Sequence, residues 1–422
     1  MDNRGKKICG QKQLSRLMLY NSFLADDLLL LHEEVEDKAE AIYQFYPLLI
    51  QKSKERGLFN NIWHCYFIDK LLTDDNLFAR TLSWQPPRQL AGTDLWQLAC
   101  HEVESLRQYF ALPLPATDIG LMENIVKDWQ PTMANQDYGR AYGRALADFC
   151  REACTLSADD FMNKLAGFHY VWGYGDICRF SFFIWKNGLC GIARADEISL
   201  RQLIGYQEQK STLLDNTKAF LSDKPANNVL LYGPQGTGKS SMVKAIANNF
   251  ADEGLRLVAL SRYDLRDMAE ILLCLSQYRQ KFILFLDDFS FDNDEKDYKY
   301  VKTYIEGGAA VLPTNVLLYA TSNRRHLVAE SWRDRRENGE DIHMGDTVAE
   351  KLSLSQRFGI TIHFPSPDQE QYLAIVEGIA KNEGLDIDSQ GLRREALKWE
   401  RWQNSRSART ARQFINNIMS KN

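Results

Sequence analysis

Two periodicities divide the chain. From Phe23 to about Cys154 apolar residues recur at helical spacing, with few glycines and no alternating runs. Asp26–Tyr46 carries Leu29, Leu30, Val35, Ala39, Ile42, Tyr43 and Phe45, predicting a helix that Pro47 stops or kinks. Further helices are expected over Asn61–Leu72, Asp94–Phe110, Leu121–Asp128, Gly139–Ala153 and Ser157–Gly167, with Trp84-Gln85-Pro86-Pro87 as a break. Phe168–Gly175 interleaves aromatics with glycines, and reads as cover for a small core rather than a ligand-stacking loop. Arg179–Trp185 and Leu189–Ala193 flank Lys186-Asn187-Gly188. Asn-Gly between apolar runs predicts a β-hairpin, expected to close this N-terminal part.

Beyond Arg194 the period alternates between strand and helix. Ile198–Leu221 reads as an approach segment and helix. Strands are expected at Val229–Tyr232, Leu255–Leu260, Phe282–Leu286, Asn315–Ala320 and Ile360–Phe364. Short apolar runs separated by helices indicate a mostly parallel sheet covered on both faces. Ser366-Pro367-Asp368-Gln369 predicts a helix start with Ser366 as its cap, and the chain then stays helical to its end. The expected fold class is therefore α/β. A mostly helical accessory domain (1–195) precedes an α/β nucleotide-binding domain (196–365) and a helical lid (366–422).

Composition adds little. The chain has 422 residues, is 45% hydrophobic and 25% charged, and carries a net charge of −5, which gives no general attraction to nucleic acid or membranes. No apolar run approaches a membrane span, and the first residues do not read as a signal peptide, so a cytoplasmic location is expected. The eight cysteines include no CxxC pair. Cys150 and Cys154 share a helix face, but neither His101 nor His169 has metal-motif spacing, so free thiols are expected.

The chemistry concentrates after Val229. Gly233-Pro234-Gln235-Gly236-Thr237-Gly238-Lys239-Ser240-Ser241 follows an apolar strand and opens an amphipathic helix, which is the phosphate-loop pattern. Its glycines let consecutive N–H groups surround a phosphate chain, and Lys239 reaches the β- and γ-phosphates. The Ser240 hydroxyl suits Mg²⁺, and the helix N-terminus faces the same anion. Phe282–Leu286 ends in Asp287-Asp288: Asp287 is placed for Mg²⁺, and Asp288 to orient or deprotonate a water. Another apolar strand ends in Asn323, suited to a γ-phosphate oxygen or water. Arg357 and Arg409 are candidates for stabilising phosphoryl charge.

In this order the motifs resemble the AAA+ ATPases. The resemblance adds Leu203-Ile204-Gly205 as the lead-in segment, so that Ile204 and Gly205 join the nucleotide-binding residues. It makes Asn323 sensor 1, Arg409 sensor 2 and Arg357 the arginine finger. More closely, the chain resembles an uncharacterised bacterial AAA+ family, domain of unknown function family 815. The stretches Ile204–Lys210, Pro225–Tyr232, Ile283–Phe291, Ala320–Leu327, Glu350–Gly359 and Ser407–Phe414 carry that likeness. It implies a five-stranded sheet with a helical lid, ATP between them, and ring or arc homo-oligomers in which Arg357 acts in trans. Arg324 and Arg325 are rivals for that role. Most AAA+ proteins have Asp-Glu where this chain has Asp287-Asp288. The shorter second acid makes slow hydrolysis credible.

The function expected is a Mg²⁺-dependent ATPase that remodels an unknown protein partner bound through the N-terminal domain. Alternatives are a nucleotide-gated scaffold or switch, and a nucleic-acid-associated loader. The latter rests on residues 391–422, which hold eight Lys/Arg against two acids, and is not favoured. A phosphotransferase ranks lowest.

Overall fold

The structure is a computed structural model that describes residues 17–37, 39–111, 114, 121–129, 139–196, 198–289, 312–323, 358–385 and 388–420. Its centre is a seven-stranded sheet in the order β2-β1-β4-β5-β6-β3-β7. The strands are β1 Phe182–Trp185, β2 Leu189–Gly191, β3 Val229–Tyr232, β4 Leu255–Leu260, β5 Lys281–Leu286, β6 Val316–Ser322 and β7 Ile360–His363. All pair in parallel except β1 with β2.

Alternation along the central strands feeds two cores. Phe282, Leu284 and Leu286 of β5 join Val316, Leu318 and Ala320 of β6 on one face. Ile283, Phe285, Leu317 and Tyr319 occupy the other, against Val243, Ile246 and Phe250 that follow the phosphate loop. Both faces being apolar, these strands show no polar alternation, as a covered parallel sheet requires.

The five expected parallel strands β3–β7 are all present. The hairpin differs from expectation in where it lies: β1 pairs with β4, Phe183 opposite Val258, and extends the parallel sheet by two strands. Phe183 is fully buried with β4 and β5 side chains, so the hairpin's apolar face belongs to the sheet core. Asn187 at φ 53 and Gly188 at φ 151 make its turn.

The N-terminal helices enclose a separate aromatic core that includes Phe23, Phe45, Trp63, Phe67 and Phe110. The single helix expected over Asp26–Tyr46, stopped or kinked by Pro47, is instead two, Asp27–Asp37 and Ile42–Arg56, with Pro47 inside the second. Proline leaves the Tyr43 carbonyl without its i+4 donor; Tyr43 is 72% exposed, so water can serve. Ala158–Trp172 also runs five residues beyond its expected end and stops at Gly173, φ 82. The aromatics Phe168, His169 and Trp172 thus form the buried side of a helix end.

Arg256 of β4 ties this part to the sheet. Fully buried, it donates to the carbonyls of Ile177 (2.7 Å), Ala251 and Leu255 (both 3.0 Å) and Trp172 (3.4 Å). Gln280 fills the space beside Gly173, where a Cβ would approach its Oε1 to 2.9 Å.

The lid comprises helices Gln369–Asn382, Ser389–Gln403 and Ala408–Met419 around their own core. The first is capped by Asp368, not Ser366: Asp368 accepts from Gln371 N at 2.8 Å, and Gln371 accepts from Asp368 N at 3.1 Å. This reciprocal box is offset by two residues from the expected one, and leaves Pro367 outside the helix.

Among the described residues no helix is long and apolar enough to cross a membrane. No group of three or more His, Cys, Asp or Glu there could hold a metal. The described cysteines are free thiols; Cys154 faces His64 Nδ1 at 3.5 Å.

Candidate nucleotide site

β3 lies between β6 and β7, so the loop leaving its carboxyl end emerges beside the ends of β5 and β6. That is where open parallel sheets place their ligands. Three glycines shape the loop, with φ of 143 at Gly233, 82 at Gly236 and 94 at Gly238. Gly233 is required sterically as well: a Cβ there would lie 2.0 Å from the Phe364 carbonyl oxygen. The helix Lys239–Asn249 begins directly after Gly238 and presents its N-terminus to the loop.

Lys239 is 7% exposed and bends back under the loop. Its ammonium donates to the carbonyls of Gly233 (2.7 Å) and Pro234 (2.9 Å) and to Asn323 Oδ1 (3.3 Å). Burial lowers its pKa, opposed by the carboxylates of Asp288 and Asp287 and reinforced by Arg409. Thr237 is buried and donates to the Pro234 carbonyl at 3.0 Å, bracing the turn.

The acids arrive from β5. Ser240 Oγ donates to Asp287 Oδ1 at 2.5 Å, bringing the two expected metal-binding groups together. Asn323 Nδ2 donates to Asp288 Oδ1 at 2.5 Å. Lys239, Asn323 and Asp288 thus form one hydrogen-bonded chain. Thr321 Oγ1 also donates to Asp287 Oδ1, at 2.6 Å.

The lid closes the other side. Arg409 lies in the first turn of Ala408–Met419, and its backbone N–H donates to the Gly236 carbonyl at 3.3 Å. A Cβ on Gly236 would stand 3.0 Å from Ser407 Oγ, so the glycine also permits the lid's close approach.

Between loop, acids and lid lies a cleft of about 880 Å³. Gln235, Gly236, Gly238, Lys239, Ser240 and Ser241 line it, with Asp287, Asp288, Asn323 and Arg409. Its size suits a nucleotide-sized ligand. Gly233, Pro234 and Thr237 stand behind this lining as its frame.

Ile204 and Gly205 do not line the cleft; their neighbours Gln202 and Leu203 do. Ile204 packs beneath the lid, where a Cβ on Gly378 would come within 2.7 Å of it. Gly205, at φ 80, leads into Tyr206, whose hydroxyl donates to the Pro365 carbonyl at 2.7 Å. Arg357, Arg324 and Arg325 lie outside the described residues.

The cleft also gathers residues given no role from sequence: Asp196, Ile198, Thr321, Ile379, Arg412 and Gln413. Only Thr321 had a signal, a hydroxyl two positions before Asn323 at the end of an apolar strand.

Residues 178–422 match the family described as "Protein of unknown function (DUF815)". The chain is similar to the chromosomal replication initiator protein DnaA of Limosilactobacillus fermentum, with 26% identity over 197 residues, 43% of this chain and 40% of that protein. It is similar to the AAA-ATPase At1g43910 of Arabidopsis thaliana, 36% identical over 88 residues, 19% of this chain and 18% of that one. It is also similar to the replication factor C large subunit of Methanococcus maripaludis, 34% identical over 61 residues, 14% and 13% of the two chains. The chain therefore spans less than half the length of each of these relatives. Among solved structures it is similar to the RuvB Holliday junction branch migration motor of Thermotoga maritima. There the TM-score is 0.32 and the identity 16%, over 52% of this chain and 71% of that one.

Proposed function

The chain belongs to the DUF815 family of proteins of unknown function, and from that premise we propose that it is a Mg²⁺-dependent AAA+ ATPase. The observation that carries this reading is the chain Lys239–Asn323–Asp288 beside the Ser240–Asp287 pair. It supplies a cation for the phosphates, a neutral amide and a carboxylate within one cleft.

The donors at Ser240 and Asp287 are a hydroxyl and a carboxylate, and such oxygen ligands fit Mg²⁺. Bound there, Mg²⁺ would neutralise charge on the β- and γ-phosphate oxygens. Lys239 and the loop N–H groups hold the phosphates, and Arg409 reaches them from the lid. Asp288 takes a proton from the water whose oxygen bonds to the γ-phosphorus, as the bond to the bridging oxygen breaks and ADP leaves.

A second reading, a nucleotide-gated switch with little turnover, draws on one observation: the Asp288 carboxylate is already engaged by Asn323 at 2.5 Å. A nucleic-acid-loading role has weaker support. Four of the lid cations pair with lid acids: Arg393 with Glu370 and Glu377, Lys398 with Glu395, Arg406 with Glu400 and Arg412 with Glu383. Such pairing reduces the field available to a phosphate backbone. Homo-oligomers with Arg357 acting in trans, a protein partner on the N-terminal helices and a cytoplasmic location complete the proposal.

Phosphate release from Mg·ATP by the wild-type chain and by Lys239→Ala tests it. Steady release by the wild type and loss of both ATP binding and release in the variant are expected. A wild type that binds ATP but releases no phosphate supports the switch instead.

A further inference from the structure

We propose that Thr321 is a positioning residue that sets Asp288 for its work on water, an assignment that rests on the ATPase reading of the site. β5 and β6 end their pairing at Leu286 opposite Ala320, so Thr321 stands level with Asp287 where the two chains begin to part. There it makes three contacts with three consecutive residues. Its Oγ1 donates to Asp287 Oδ1 at 2.6 Å and accepts from Asp288 N at 2.8 Å. Its carbonyl accepts from Phe289 N at 2.6 Å.

The middle residue of the three needs such a strap. Asp288 has φ 51, in the left-handed region that costs a residue with a Cβ more than glycine, though aspartate tolerates it better than most. Its carboxylate sits one methylene closer to the backbone than a glutamate's, so the backbone must carry it into place. In this conformation Asp288 Oδ1 lies 2.5 Å from Asn323 Nδ2. Thr321 and Asn323 belong to the same strand end. One element therefore fixes both the backbone and the carboxylate of Asp288.

A hydroxyl is needed because a single atom donates to Asp287 and accepts from Asp288 N. Valine keeps the shape of threonine and can do neither. Serine can do both. Thr321 is only 1% exposed, so bulk water does not replace the lost group, and Asp288 N keeps only its longer 3.1 Å bond to Asp287 Oδ1. Asp287 Oδ1 still has Ser240 Oγ as a donor when Thr321 is gone, so the metal-binding pair survives the change.

The test compares wild type, Thr321→Val, Thr321→Ala and Thr321→Ser. Loss of two hydrogen bonds predicts kcat lower by roughly 30-fold in the valine and alanine variants. KM and Mg·ATP affinity by calorimetry are expected to stay within about threefold of wild type, because the phosphate loop is untouched. Serine is expected to restore kcat. Two variants lack the hydroxyl, so the result does not hang on one of them folding.

A second readout needs no turnover: the Asn323 side-chain amide resonances of nucleotide-free protein. They are expected to shift in the valine and alanine variants, and to stay in place with serine. Wild-type kcat in both hydroxyl-free variants, or an unmoved Asn323 amide, overturns the assignment and leaves the ATPase reading standing. A wild type without turnover overturns both.

Discussion

Arg256→Met probes the junction between the N-terminal helices and the sheet. Arg256 is fully buried, and among the described residues it forms no ion pair; its partners are four backbone carbonyls. Burial pushes its pKa down to about 10, with Cys178 and Asp252 opposing, so the guanidinium remains charged at neutral pH. Methionine fills similar volume with no donors. Ile177 and Trp172 carbonyls then lose the link to β4, and those of Ala251 and Leu255 lose their nearest charged donor.

Three bonds of 3.0 Å or shorter to a charged donor give a gross loss of about 5–9 kcal/mol, at ~1.5–3 kcal/mol each. Relief from burying the guanidinium offsets part of that. The net destabilisation expected is about 3–5 kcal/mol. Arg256→Lys keeps the charge but cannot span four acceptors with three donors, and is expected to recover less than half of the loss. Guanidinium chloride unfolding followed by circular dichroism measures both. A midpoint for Arg256→Met within ~1 kcal/mol of wild type would refute the claim that this residue anchors the junction.

Two further predictions concern the loop and a buried histidine. Gly236→Ala places a Cβ 3.0 Å from Ser407 Oγ at φ 82. Strain of about 1–3 kcal/mol should weaken nucleotide binding by roughly 5- to 150-fold, as measured by calorimetry; unchanged affinity would show that the lid need not rest on the loop. His169 is fully buried, with Nδ1 3.0 Å from the Gly173 carbonyl and Nε2 without a partner among the described residues. Burial lowers its pKa from 6.5 to about 4. The unfolded chain therefore binds the proton first as pH falls. The stability this neutral imidazole contributes is full above pH 6.5 and is lost progressively down to about pH 4, by ~3 kcal/mol. Urea unfolding of wild type and His169→Gln at pH 7 and pH 4.5 should show the wild type losing more; equal losses count against it.

What could be read in the sequence was local and strongly patterned. Val229–Tyr232 and Leu255–Leu260 are strands at their expected bounds, because apolar runs that short, bounded by turns, have few other uses. The glycines, Lys239, Ser240, Asp287, Asp288, Asn323 and Arg409 converge on one cleft because each follows a strand end or opens a helix at it. Features set by tertiary packing were not legible. The hairpin turn was visible in Asn187-Gly188, but which strand it would join depended on Phe183 finding Val258. The helix expected over Ser157–Gly167 runs on to Trp172, because burial of Phe168, His169 and Trp172 holds it as far as Gly173. Asp368 outcompeted Ser366 as a cap because Gln371 could reciprocate. Gln202 enters the cleft through the third dimension, and no spacing rule marks it, whereas Thr321 is marked only by its place two residues before Asn323.

Under the proposed mechanism Asp288 activates water for ATP hydrolysis in this cleft. Asp288→Asn keeps the shape and removes the base, so single-turnover hydrolysis of Mg·ATP by the purified full-length variant addresses it directly. ATP affinity close to wild type with phosphate release slower by about 100-fold or more is the predicted result. Release within threefold of wild type would contradict it.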